Sequence, residues 1–263
     1  MMKLKALTLS AALAAALITA GCDAQNSGDD AKVIRIGATG QSYPNAFKQD
    51  NKLVGFDVEV AEDIAKALNY RIEWVTADFS GIMGQLEAKK LDTVANVVAI
   101  TPVRQQKYDF SQTYGYYGSQ IVTHKDNADI NTLDDLKGKT VAGVLGSNHV
   151  NNLKKAFPDG SITIRTYENR DGAMSDALAK RVQGYVQSGP ILLAEINKRN
   201  LPFKLVGGPL VVESVGFPFH KDEKGEALRK QFDEALKRLR DDGRLKALSI
   251  KYFGDDITTP PAS

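Results

Sequence analysis

Arg104 has a residue type and a position that together suggest chemistry. It follows Thr101 and Pro102. Threonine is a favoured helix N-cap, and proline suits the first helical position, where its missing N–H would have had no intrahelical partner. The pair predicts a helix start, with Arg104 in the first turn. A cation there opposes the helix dipole. Solvation, a pair with Asp109, or a bound carboxylate held by the guanidinium fork and free backbone N–H groups would each compensate it.

Other chemistry finds little support. Gly138, Lys139 and Thr140 lack the upstream glycine of a phosphate loop, because Leu133 stands there. His124, His149 and His220 share no metal-ligand spacing, and Cys22 is the sole cysteine, so neither a metal nor a cofactor is expected. No nucleophile stands beside a base, so no catalytic residue is assigned. Tyr114, Tyr116 and Tyr117 read as packing at a crossing between domains rather than as a stacking platform. A formal net charge of +2 over 263 residues, with Lys and Arg scattered, argues against nucleic acid as a partner.

The elements around Arg104 alternate. Strands are expected over 33–37, 70–75 and 93–98. Helices are expected from Asp57, read as an N-cap, and from a cap at Ser80. This β-α-β-α-β order predicts a parallel sheet. After the aromatic, glycine-rich run from Tyr114 to Gln120 the pattern restarts. A short helix is expected over 133–137 and strands over 140–144, 162–166, 183–186 and 203–206. Helices are expected over 150–157, 171–180 and 190–199. An extended run over 211–219 leads to amphipathic helices over 225–240 and 245–252. Two such modules joined by two crossings predict a two-lobed α/β protein, lobe 1 being 33–117 plus 215–256 and lobe 2 being 118–214. Ligands of such sheets bind at the carboxyl ends of the strands, here the cleft between lobes. His149 falls in a loop facing that cleft, as a ligand contact, a cap or a solvated side chain.

Residues 1–21 read as an export leader, with Lys3 and Lys5 before an apolar stretch from Leu7 to Ile18. Leu17 to Cys22 resembles a bacterial lipobox, with Thr19 where that motif usually has a larger aliphatic residue. Lipidation explains why the one cysteine sits there. Residues 22–32 then form a polar tether. Asp23 resembles the signal for inner-membrane retention in hosts that have an outer membrane. The folded part is expected in the periplasm or at the cell surface.

Five runs carry a wider resemblance: Leu53–Glu59, Ile100–Arg104, Tyr108–Ser111, Asp135–Val141 and Lys251–Gly254. In order and spacing they resemble the polar amino-acid receptors of bacterial ABC importers over nearly all of Val33 to Asp256. The resemblance implies the type II periplasmic-binding-protein fold, each lobe a mostly parallel sheet flanked by helices. It also implies a monomeric, non-enzymatic receptor that captures an amino acid and passes it to a membrane permease. Arg104 matches the carboxylate-gripping arginine, and Ala99 a backbone N–H beside it. Asn96 and Val97 match the strand end that touches the ligand backbone. Tyr43 and Phe79 match enclosing aromatics, and Ser147 and Asn148 the helix start that closes on the carboxylate. The family places an aspartate near Ser188 for the α-ammonium, but here Gln187 and Ser188 offer only neutral acceptors. Leu91–Asn96, Gln105–Asp109 and Gly146–His149 look most like the cystine, cysteine and related sulfur-amino-acid receptors. Cyclodienyl dehydratases share the fold, with Asp78 or Glu213 as the acid such a reaction would need. A sensing receptor is a further alternative.

Overall fold

Residues 31–260 are described by a computed structural model; the leader, Cys22 and nearly all of the tether lie outside the described residues. Strand β1 (Lys32–Ala38) is flanked in parallel by β5 (Tyr70–Thr76) and β6 (Thr93–Val94). Between them lies a small antiparallel sheet of β2 (Gln41–Ser42), β3 (Ala46–Gln49) and β4 (Lys52–Val54), which periodicity had not marked. Helix α1 (Phe56–Ala67) buries Phe56, Val58, Val60, Ala61 and Ile64. Each larger side chain among these contributes roughly 1.5–3 kcal/mol. Helix α2 (Phe79–Glu87) starts after Asp78, two residues before the expected cap at Ser80.

Thr101 is the N-cap of α3 (Pro102–Lys107), its hydroxyl accepting the Arg104 N–H at 3.3 Å. Strand β7 (Tyr108–Phe110) follows, and then β8 (Gly115–His124) enters a second, five-stranded sheet. Its other members are β9 (Thr140–Val144), β10 (Thr163–Tyr167), β11 (Gly184–Ser188) and β12 (Phe203–Val215), in the order β10-β9-β11-β8-β12. Strands β10, β9 and β11 are parallel, whereas β8 runs antiparallel to both β11 and β12. Helices α4 (Asn148–Ala156), α5 (Arg170–Leu178) and α6 (Gly189–Arg199) connect them. The short helix expected over 133–137 is a single 3₁₀ turn, Asp134–Leu136.

The two crossings are β8 and β12, paired from His124 with Phe203 down to Gly115 with Val215. Their register breaks between Val206 and Val211, where Gly207 has φ +59°, so two expected runs form one interrupted strand. At one end of the ribbon Tyr114, Tyr117 and Val215 pack with Ile34, Ile36 and Phe56; further along, Ile121 and Val122 join the cores of the second sheet. The chain returns through β13 (Pro218–His220), antiparallel to β7, and closes with α7 (Glu223–Asp241) and α8 (Arg244–Phe253).

Two local expectations change, for one shared reason. The strand read over 93–98 stops at Val94, and Val97 takes φ +53°, a costly conformation for a β-branched residue. The carboxylate of Asp57 compensates, accepting the Val97 N–H at 2.8 Å. Asp57 is therefore no cap; Gly55 occupies that position. Gly55 has φ +135°, and a Cβ there would lie 2.2 Å from the Asn45 carbonyl oxygen, so glycine is required. The Pro44 and Asn45 carbonyls accept the first N–H groups of α1, which frees the Asp57 side chain for Val97.

Asp57 is fully buried, and burial pushes its pKa up from 3.8 to about 7, against the opposing Val97 N–H. The folded chain holds this proton between those values while the unfolded chain has released it. Its stability contribution is therefore lost as pH rises through that window. Asp57→Asn keeps a carbonyl for Val97 but cannot titrate. Urea unfolding at pH 5 and pH 8 checks this: the wild type loses on the order of 2–3 kcal/mol more than Asp57→Asn across that interval.

Candidate functional site

The carboxyl ends of β1 and β6 meet the starts of α4 and α5 across a cleft enclosing about 780 Å³ of empty space, part of it open to solvent. Asn96, at the end of β6, accepts the Thr39 N–H at 3.0 Å and the Thr39 hydroxyl at 2.8 Å. This tie joins the loops after β1 and β6, and the Asp57 bond to Val97 completes the floor.

Arg104 projects into this cleft from the first turn of α3. Its Nη1 donates to the Ala99 carbonyl at 3.1 Å and its Nη2 to the Gly146 carbonyl at 3.4 Å, so it reaches across to the α4 side. Its guanidinium carbon lies 5.5 Å from the centre of the Phe79 ring, within cation–π range. Asp109, the acidic partner considered from sequence, instead lies 3.7 Å from Lys221. Burial holds the Arg104 pKa below the ordinary arginine value, against the opposing charge of Glu213. Both neighbours accepting from Arg104 are neutral carbonyls, which leaves its charge to be met within the cleft.

Facing Arg104, Ser147 is the N-cap residue of α4, but its hydroxyl makes no cap bond and is buried without a hydrogen-bond partner. Asn148 and Asn152 both donate from α4 to Glu213 on β12, the second at 3.2 Å. Burial raises the Glu213 pKa, and Asn152 and Arg104 oppose the rise. The Nδ1 of His149 lies 2.7 Å from the Ser119 hydroxyl. Burial first, then Arg104 and Arg170, lower the His149 pKa to about 4, so it is neutral at physiological pH.

Of the residues singled out by sequence, Phe79, Asn96, Val97, Ala99, Arg104, Ser147, Asn148 and Gln187 line one cleft. Tyr43 and Ser188 lie outside that lining. The Tyr43 ring packs edge-on against Phe47 with Lys198 Nζ 3.9 Å from its centre, and only its carbonyl faces the other side, accepting from Arg170 at 3.0 Å. Ser188 is fully buried at the start of α6, and its N–H donates to the Gln187 side chain at 2.9 Å. That bond occupies one acceptor site of the amide expected to meet an ammonium. Sequence reasoning passed over Thr39, Glu168 and Arg170 as cleft residues, and weighed Glu213 only as an enzyme's acid. No local signal marks them, since their place follows from long-range packing. Among the described residues no cluster of His, Cys, Asp and Glu could hold a metal, and no helix is long and apolar enough to cross a membrane.

Comparison with known proteins agrees with this architecture. Residues 34–255 match the family described as bacterial extracellular solute-binding proteins, family 3. The probable amino-acid-binding protein YxeM of Bacillus subtilis (strain 168) is 51% identical over 259 residues, 98% of each chain. The L-cystine-binding protein TcyJ of Escherichia coli (strain K12) is 33% identical over 232 residues, 85% of this chain and 83% of that one. A solved structure described as a putative L-cystine ABC transporter from Listeria monocytogenes matches with a TM-score of 0.80 at 30% identity, covering 87% of this chain and 98% of the other. The chain belongs to the bacterial extracellular solute-binding proteins of family 3, with the type II periplasmic-binding-protein fold.

Proposed function

We propose that this protein captures a polar amino acid, specifically cystine, cysteine or a related sulfur amino acid, and delivers it to an ABC permease. The observation that carries the reading is Arg104, a partly buried guanidinium whose protein acceptors are two neutral carbonyls, set opposite the start of α4, which has no side-chain cap. A guanidinium fork and free helix N–H groups are matched to an α-carboxylate. The resemblance of the relatives named above supports the sulfur amino acids as the class. Lobe 1 comprises 33–117 and 215–256 and lobe 2 comprises 118–214, with β8 and β12 as the hinge. A ligand touching both lobes stabilises the closed form, which the permease reads. Lipidation of Cys22 tethers the protein to the membrane surface.

The α-ammonium has its acceptor in Glu213. In an α-amino acid the two charged groups share one carbon, so the acid that meets the ammonium must stand close to the arginine that meets the carboxylate. Glu213 lines the same cleft as Arg104, and two asparagine amides already orient it. A carboxylate has about four lone-pair sites, so capacity remains beside those two bonds. On this reading the ammonium sits on the β12 side of the cleft, with Gln187 and Ser188 as the alternative neutral acceptors.

Two experiments test this reading. A thermal-shift and calorimetry screen with amino acids expects a raised melting temperature with cystine or cysteine. In Arg104→Ala that affinity falls by about 2–5 kcal/mol with the fold retained; unchanged affinity removes Arg104 from the site. Glu213→Gln weakens amino-acid binding by roughly 10–100-fold, the worth of one hydrogen bond to a charged group. The same change leaves the desamino analogue of the ligand unaffected; an equal loss for both compounds contradicts the ammonium assignment.

A further inference from the structure

Arg170 borders the same cleft, and the capture of an α-amino-acid head leaves it unused. It is the first residue of α5 and is 8% exposed. Its Nη1 donates to the Tyr43 carbonyl at 3.0 Å, and its Nη2 lies 3.1 Å from Oε2 of the buried Glu195. That second contact is an ion pair without hydrogen-bond alignment, so both Nε and Nη2 lack a hydrogen-bond partner. A guanidinium offers five N–H donors in a rigid plane and does not give up its proton. Buried donors without an acceptor are costly, and the residue that carries them lines the cleft.

The surroundings are arranged for an anion. Asn169 caps α5 through Gly172 at 2.9 Å, and the positive end of this nine-residue helix lies at the cleft wall. Glu195, which is not among the cleft-lining residues, pairs with Nη2 of the guanidinium. Glu168, exposed at the rim of the same cleft, would match an ammonium next to such an anion.

We propose that Arg170 is a second carboxylate-binding group, and that the ligand is an amino acid with a second carboxylate on its side chain. One carboxylate sits at Arg104 and the other at Arg170. This rests on the amino-acid-capture reading of the cleft and narrows it. Cystine and S-carboxyalkyl cysteines meet the requirement, whereas cysteine itself and S-alkyl cysteines do not.

Calorimetric titration of the wild type with cystine, S-carboxymethylcysteine and S-methylcysteine tests the proposal. The two dicarboxylates are expected to bind at least about tenfold tighter than S-methylcysteine, the difference one charge-assisted contact makes. Arg170→Gln removes that preference and leaves S-methylcysteine within about threefold of the wild type. Because that change strands a buried Glu195 and can compromise folding, Arg170→Gln combined with Glu195→Gln provides a neutral companion. Equal affinity of the wild type for all three compounds overturns the inference. So does a parallel loss for all three in the double variant, which would mark Arg170 as a closing contact to Tyr43 alone. If no amino acid binds the wild type, the capture reading fails and takes this inference with it; binding without discrimination removes only the inference.

Discussion

The bond from the Val97 N–H to the carboxylate of Asp57, 2.8 Å long and fully buried on the Asp57 side, sets the shape of the cleft. It holds a valine in the left-handed region, and so it ends β6 and turns the chain toward Ala99 and Thr101. Thr101 and Pro102 set where α3 starts in the sequence, and the turn directs the chain that leads to it. Arg104 owes its place to this sequence of events, since its side chain bonds the carbonyl of Ala99 in the redirected loop. The cost is a carboxylate in an apolar core, offset by its bond to Val97 and by protonation when the pH allows.

The cleft built on this floor is rich in charge but not evenly paired. Arg104 meets neutral carbonyls, while Glu213 is held by two asparagines rather than by a cation at hydrogen-bond range. A cation and an anion that are each hydrogen-bonded only to neutral groups therefore line the same cleft, the pattern a zwitterion complements. Arg170 is paired with Glu195 yet keeps unused donors. His149 lies under the influence of both arginines and stays neutral, so it adds hydrogen-bonding capacity without a third positive charge. The crossing strand β12 takes part in the site, because Glu213 is on that strand and its partners Asn148 and Asn152 are on α4.

Features encoded by adjacent residues were legible in the sequence. Thr101 and Pro102 set the start of α3, with its cap three residues before Arg104, and the alternation of strands and helices marked the two larger sheets. Features decided by partners far along the chain were not. Asp57 has the residue type of a cap, and only the loop 40 residues later shows that its carboxylate serves Val97. The run from Thr93 to Val98 reads as a strand because local apolarity carries no trace of the left-handed turn. Arg170 lies in a polar stretch that looks solvated, and its burial depends on Glu195 and Tyr43 from distant segments. The reversed direction of β8 within its sheet is not legible locally, because direction follows from the crossings rather than from strand composition.

The most direct measurement of the central claim is a crystal structure of the protein with cystine bound. The account expects one α-carboxylate on the Arg104 fork at about 3 Å, its ammonium on Glu213, and the far carboxylate at Arg170. Cystine bound with both carboxylates away from Arg104, or outside the cleft between the two sheets, would contradict it.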